Sequence, residues 1–510
     1  MFEEHENFTT EQEQLLLAQF ASIDDLYFDI LSLPFQSCEE EISSILNSES
    51  HDSEGTRHVL FPQSSLEILN KHKNRFRRLN GKKIAIGSPV YQQTRSSTNN
   101  IIHFAAEKFV EPTSQLSVLS DPYASSLLED FSDEDSKNVQ LVMYLLSSAE
   151  KVGEKHYDRA MKLLNMCEKL SIGKNNSVQR LVYYFTEALY EKIDRETGRI
   201  TPKGLGNKQF LDEDLLMTPN PTILAFHELV PLSHVTKFAG IQAIIERVAE
   251  AKKVHIIDFD ICTGVQFTIL MQALEGQLDH LKITAVGIKS KKGIIEETGK
   301  RLENFANSLN LSFSFNLIMV SDILELNESR FELDEDETIA VYAAYVFKNM
   351  IGEPDRLEHL MKMIKIINPC IMVVTEAEAT DNSPVFVDRF VEALFFYGAF
   401  FDSMEDCMKN DELNRQIAEE RIFSPAIRNI VAAEGDERKI RHVSIDVWRA
   451  FFARFGMREV ELSMSSTYQA NLVLESFTCG GSCTLDTNGK SLIIGWKGTS
   501  LNSLSAWRFQ

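Results

Sequence analysis

The apolar positions of this chain repeat at two spacings. Over residues 139–151 and 157–170 they return every three to four places, which predicts two amphipathic helices broken at Gly153. Leu181, Phe185, Leu189 and Ile193 continue the pattern as one stripe. That stripe reads either as the buried edge of a helix or as a dimer or partner-binding face. Residues 221–250 predict two further helices parted near Pro231. The spacing then shortens to compact apolar runs. Residues 254–258, 281–287, 313–320, 339–344 and 370–376 read as strands, with helices over 265–274, 293–308 and 356–367. Strands this continuously apolar, alternating with helices, imply a mostly parallel sheet covered on both faces, and so an α/β fold. Residues 471–477 and 491–496, separated by a glycine-rich turn, read as a C-terminal hairpin on the sheet edge.

Residues 1–135 follow neither pattern. They are rich in Ser, Glu, Gln and Asn with short apolar stretches, which predicts a largely disordered regulatory region. Two segments stand out. In 23–35 acidic residues alternate with bulky apolar ones, suiting either a hydrophobic groove on a coactivator or a short helix docked on the main domain. In 71–83 the seven cations Lys71, Lys73, Arg75, Arg77, Arg78, Lys82 and Lys83 fit a nuclear import signal or a solvated basic loop.

Composition narrows the function. In 510 residues, 52 Lys and Arg against 75 Asp and Glu give a net charge of −23, so nucleic acid could be met only through a local basic patch or a partner. The seven cysteines are scattered, which suits a reducing compartment better than a disulfide framework. Cys479 and Cys483 are the one close pair in sequence, without the second pair that zinc needs, so no metal is expected. The start of the chain does not read as a signal peptide, and no apolar run is long enough to span a bilayer; a soluble intracellular protein is expected.

The run Val254-His255-Ile256-Ile257-Asp258 ends as strands do before a nucleotide-binding loop. Such a loop needs closely spaced glycines, which let the backbone approach phosphate. After Asp258 and Asp260 the chain offers only Gly264, preceded by Ile261, Cys262 and Thr263. The next strand ends Val286-Gly287-Ile288-Lys289, with no carboxylate for a ribose. No cofactor is therefore expected. The G-x-S-x-G, H-E-x-x-H and Walker patterns are absent as well, so no catalytic residue is assigned. His255 reads as a satisfied core histidine. Asp258 and Asp260 read as residues that cap the following helix and bond loop amides.

From about 137 to 510 these motifs, in this order, resemble the plant GRAS family of transcriptional regulators. Residues 254–258 match its VHIID signature, with Asp260, Gly264 and Gln266 in place and Phe267 where Trp is usual. The helices over 139–193 resemble the first leucine-rich region, and 293–326 the second. Pro369, Phe396, Tyr397, Arg438 and Arg441 match the PFYRE block, which here lacks its usual glutamate. Trp448, Gly495, Trp496, Ser505, Ala506 and Trp507 match the SAW block. The DELLA and VHYNP signatures are missing, so the resemblance is not to a DELLA member.

The resemblance implies a methyltransferase-like Rossmann core (mainly 241–510) with a helical cap (mainly 137–240). It further implies a nuclear scaffold or coregulator acting as a homo- or heterodimer with other GRAS proteins and with DNA-binding transcription factors. Two alternatives remain: direct sequence-specific DNA binding, or residual S-adenosylmethionine-dependent methylation. For the former, Arg415, Arg421, Arg428, Arg438, Lys439, Arg441, Arg449, Arg454 and Arg458 form either a phosphate-facing patch or, with the acidic residues among them, an ordinary charged surface.

Overall fold

The computed structural model describes residues 97–110, 132–198, 222, 225–226, 229–261 and 263–510. The segments 23–35 and 71–83 lie outside the described residues.

The helices are set by their ends as much as by their faces. Among the described residues they are α1 (Thr98–Val110), α2 (Asp133–Gly153), α3 (Tyr157–Ser171), α4 (Ser177–Thr197), α5 (Leu232–Val248), α6 (Val265–Ala273) and α7 (Lys292–Ser308). There follow α8 (Pro354–Ile367), α9 (Phe386–Cys407), α10 (Glu412–Ala418), α11 (Ser424–Ala432), α12 (Ile445–Arg454) and α13 (Met464–Ser476). Ser132 caps α2 by accepting from the Asp135 amide, and three acidic residues of its first turn face the positive end of the helix dipole. Asn176 caps α4 in the same way, and left-handed Gly198 closes it. α8 begins at Pro354 and ends where Asn368 turns left-handed just before Pro369. Pro369 is thus a helix stop, and it is buried.

The strands are β1 (Lys253–Asp258), β2 (His280–Ile288), β3 (Phe313–Val320), β4 (Thr338–Ala344), β5 (Ile371–Ala377), β6 (Met457–Val460), β7 (Cys483–Asn488), β8 (Ser491–Trp496) and β9 (Thr499–Phe509). They form one sheet in the order β3-β2-β1-β4-β5-β9-β8-β7, with β6 also on β9. Strands β1 to β5 are parallel, whereas β9 runs antiparallel to β5, β6 and β8. The fold is a Rossmann-like α/β sheet carrying C-terminal antiparallel strands. Alternate residues of each strand serve opposite faces. Ile256, Ile283, Tyr342 and Val373 pack under α5, α6 and the helical layer. Ile257, Val341, Val374 and Trp507 pack against α8 and α12.

Four expectations change. Residues 471–477 are not a strand: they lie mostly in α13, which Ser463 caps and which buries Ser466, Ala470 and Val473 at helical spacing. The hairpin partner of β8 is instead β7. The folded unit also begins earlier than 137, because α1 buries Ile101, Ile102, Ala105 and Ala106. The helical layer is not confined to 137–240, since α9 and α11 pack directly on α4. Arg180 pairs there with Glu405 and Glu419, Lys192 with Glu434, and Arg428 with Glu187. Finally, Cys407 is bonded to Cys479, so the cysteines are not all free thiols. Tertiary folding brings together two residues 72 apart in sequence.

Candidate functional site

The strand order reverses between β1 and β4, and ligands of open α/β sheets bind at the carboxyl ends of the strands flanking such a point. Asp258 ends β1 there and is almost fully buried. Its Oδ1 accepts from the Asp260 amide at 2.9 Å, and its Oδ2 accepts from Gln266 Nε2 at 3.3 Å. Burial pushes the Asp258 carboxyl up to about 7. The loop-amide bond expected of Asp258 is present. The expected helix cap is not, because Gly264, with no side chain, stands at the N-cap of α6. Gly264 is left-handed at φ 71, and a Cβ on it would stand 2.9 Å from Thr298 Cγ2. The approach of α7 therefore fills the space that a glycine opens in a nucleotide loop.

Asp260 pairs across the mouth of this crevice with Lys291 at 3.3 Å. Both side chains are largely shielded from solvent. They follow β1 and β2 respectively, where an adenosyl group would rest its ribose. A cation bound to the first-strand acid thus occupies the position that needs a free carboxylate. The residues present do not fit S-adenosylmethionine. Behind them His255 is fully buried, with Nε2 2.7 Å from Thr284 Oγ1. Its Nδ1 lies 3.1 Å from Glu337 Oε2 but out of line for a hydrogen bond. Burial, with the Lys282 cation beside it, pushes His255 down to about 3, so the ring is neutral.

At the end of β4, Tyr345 is held left-handed at φ 58, a conformation that side chains other than glycine rarely adopt. Its amide donates to Thr375 O at 2.7 Å, and its hydroxyl donates to Asn502 Oδ1 at 3.2 Å. Glu376 accepts from the Phe347 and Lys348 amides, and burial raises its carboxyl to about 7. Sequence reasoning missed this arrangement: the strain at Tyr345 and the bonds to Glu376 join segments some thirty residues apart, and no local pattern marks them. Nearby, a recess between Glu378, Glu392, Phe396, Ser444 and Thr499 has about 20 Å³ open to a water-sized guest. That holds a water and falls far short of the roughly 300 Å³ of a small-molecule pocket.

Arg438, Arg441 and His442 gather around Asp381 and Asn382, two residues outside the PFYRE-like set. Asp381 accepts from the His442 amide at 3.0 Å and contacts His442 Nδ1 at 2.8 Å. The His442 ring lies 5.2 Å from Phe396, which is itself edge-on to Tyr397. Arg438 and Arg441 converge on Asn382 Oδ1. The SAW-like residues are interior. Trp496 Nε1 donates to Asp402 Oδ2 at 2.8 Å, and Trp507 Nε1 donates to Ser505 Oγ at 2.8 Å. Trp448 stacks on Phe452. Ala506 is buried beside them, and a Cβ at Gly495 would strike Thr499 O at 2.4 Å.

Two alternatives left open by the sequence are decided, each against the surface reading. Leu181, Phe185, Leu189 and Ile193 are buried in the helical layer, so this stripe offers nothing to a partner. Several arginines proposed for a phosphate patch are already engaged. Arg415 and Arg449 pair with carboxylates, as Arg428 does, and Arg438 is buried. Arg421, Arg454 and Arg458 remain exposed. Among the described residues no cluster of His, Cys, Asp and Glu is placed to hold a metal, and no helix is long and apolar enough to cross a membrane.

A model of the GRAS domain family matches residues 141–508. DELLA protein GAI1 of Vitis vinifera is 29% identical over 382 residues, which cover 74% of this chain and 63% of that protein. DELLA protein RGL3 of Arabidopsis thaliana is 30% identical over 378 residues, 73% of this chain and 70% of the relative. The chain thus spans a little under two thirds of the length of DELLA protein GAI1. The crystal structure of SCL7 in Oryza sativa is similar with a TM-score of 0.64 and 25% identity, covering 72% of this chain and 99% of that one.

Proposed function

The chain belongs to the GRAS domain family, whose DELLA-like members are plant transcriptional regulators, and from that membership we propose that it regulates transcription as a nuclear protein-interaction scaffold. It works through dimerisation with GRAS proteins and through DNA-binding partners rather than by catalysis. The observation that carries this reading is the Asp260–Lys291 ion pair, which puts a cation where a related enzyme would need a free carboxylate for its cofactor's ribose. With that position taken and the motif residues turned into the core, the outer surfaces are what remain to do the work. Proximity labelling by the full chain in plant nuclei is expected to mark DNA-binding transcription factors, and calorimetry with S-adenosylmethionine to show no heat. Micromolar binding of that cofactor, abolished by Asp258→Asn, would replace the scaffold with an enzyme. A salt-dependent gel shift by the protein alone would replace it with direct DNA recognition.

A further inference from the structure

We propose that Cys407 and Cys479 are a redox modification site: a reversible disulfide that clamps the end of α9 to the connection between α13 and β7. The two residues sit 5.6 Å apart at Cα and are bonded through sulfur. Cys407 is the last residue of α9. Cys479 lies in the short run between α13 and β7. Closing the bond ties off the intervening stretch, which contains α10 to α13 and β6.

Three features make this a site rather than a permanent staple. Both cysteines are half-buried, so a small thiol or a dithiol protein reaches them. In the reduced state the Cys479 thiol has an acceptor waiting, Leu229 O at 3.6 Å, so opening the bond leaves no stranded donor there. The free thiols Cys167, Cys370 and Cys483 are pushed up to between about 11 and about 12, chiefly by burial. They are poor nucleophiles at neutral pH, and Cys483 in particular does not compete for its neighbour four residues away. The oxidant is a small-molecule disulfide such as glutathione disulfide. One cysteine thiolate attacks it and expels a glutathione thiolate. The second cysteine thiolate then attacks the mixed disulfide and expels the other. Two protein S–H bonds are replaced by one S–S bond, and two electrons and two protons pass to two molecules of glutathione. The resting reduced state follows from the proposed nuclear location, whereas the bond itself depends only on the geometry.

What the clamp holds is the joint between the helical layer and the sheet edge. One turn before Cys407, Asp402 binds the Thr98 amide, Trp496 Nε1 and Lys497. Beside Cys479, Gly480 packs so closely on the last turns of α13 that a Cβ would overlap Leu474 O at 1.8 Å, so a bond at Cys479 is transmitted to α13.

The test uses the full-length protein equilibrated in reduced or oxidised glutathione, with peptide mapping under non-reducing conditions, melting and hydrogen exchange. The oxidised form is expected to yield the Cys407–Cys479 peptide, to melt about 5 °C higher for a loop of this length, and to exchange more slowly over 464–482. Cys407→Ser and Cys479→Ser should each abolish the redox-dependent shift, while Cys483→Ser keeps it. If a serine variant fails to fold, wild-type protein alkylated after reduction gives the same comparison. A Cys479–Cys483 peptide, no cross-linked peptide, or equal melting with the correct bond present would each overturn the proposal.

Discussion

Asp258→Asn provides a sharp test of how the end of β1 is built. The wild-type carboxyl is buried with a pKa near 7, against about 3.9 when unfolded. A folded-state pKa above the unfolded one means that the native protein holds the proton over that interval. Its stabilising contribution is full below about pH 4 and is lost as pH rises through 7. Taking those two values, this single group lowers stability by about 2 kcal/mol between pH 5.5 and pH 8. Asparagine keeps the shape, accepts the Asp260 amide as before, and meets Gln266 once its amide turns over. The variant should therefore match wild type at pH 5.5 and exceed it by about 2 kcal/mol at pH 8. Glu376, also raised to about 7, adds a loss of the same sign in both proteins. His255, depressed to about 3, adds a gain with rising pH in both, and the comparison cancels these contributions. Urea unfolding of the full chain at the two pH values reads the difference as a midpoint shift at constant slope. Identical pH dependence in the two proteins would refute the raised carboxyl of the buried Asp258.

Three other outcomes are expected. Trp507→Ala removes a fully buried indole packed 4.8 Å from the Phe452 ring, and should cost about 3–5 kcal/mol by thermal or chemical unfolding. Loss of function there would report lost folding, and a change below 1 kcal/mol would contradict its burial. Gly264→Ala forces a Cβ into a left-handed position 2.9 Å from Thr298 Cγ2 and should cost about 2 kcal/mol, of which pairing with Thr298→Ser returns only the packing part. Asp402→Ala strands the Trp496 indole N–H and releases the Thr98 amide, while Lys497 keeps its pair with Asp406. It should cost about 2–3 kcal/mol, with the fastest new amide exchange in α1. Unchanged exchange in 98–110 would mean that α1 is held by its apolar face alone.

Much of the core could be read before any coordinates. The five expected parallel strands lie within a residue of β1 to β5 at each end, and β1 and β5, buried on both faces, show it most plainly as compact, largely apolar runs. The missing glycines after Asp258 were equally visible. What replaces the missing ribose acid was not: the Asp260–Lys291 pair joins residues 31 apart. The second half of the helix at 464–476 reads as a strand because Leu472-Val473-Leu474 is a short continuous apolar run, which fits either element. The apolar contact with α5 that decides its conformation is more than two hundred residues away in sequence.

The linear order of residues by itself determined the periods, and with them the parallel sheet, the helices that cover it and the family motifs. These depend on spacing within a dozen residues, which the backbone reads directly. Only the tertiary structure decided which faces are interior and which polar groups meet. It buried the 181–193 stripe, drew α1 into the fold, gathered Arg438, Arg441 and His442 around Asp381 and Asn382, and joined Cys407 to Cys479. Each of these depends on chain segments distant in sequence arriving at one place, and no local periodicity records where the rest of the chain will be.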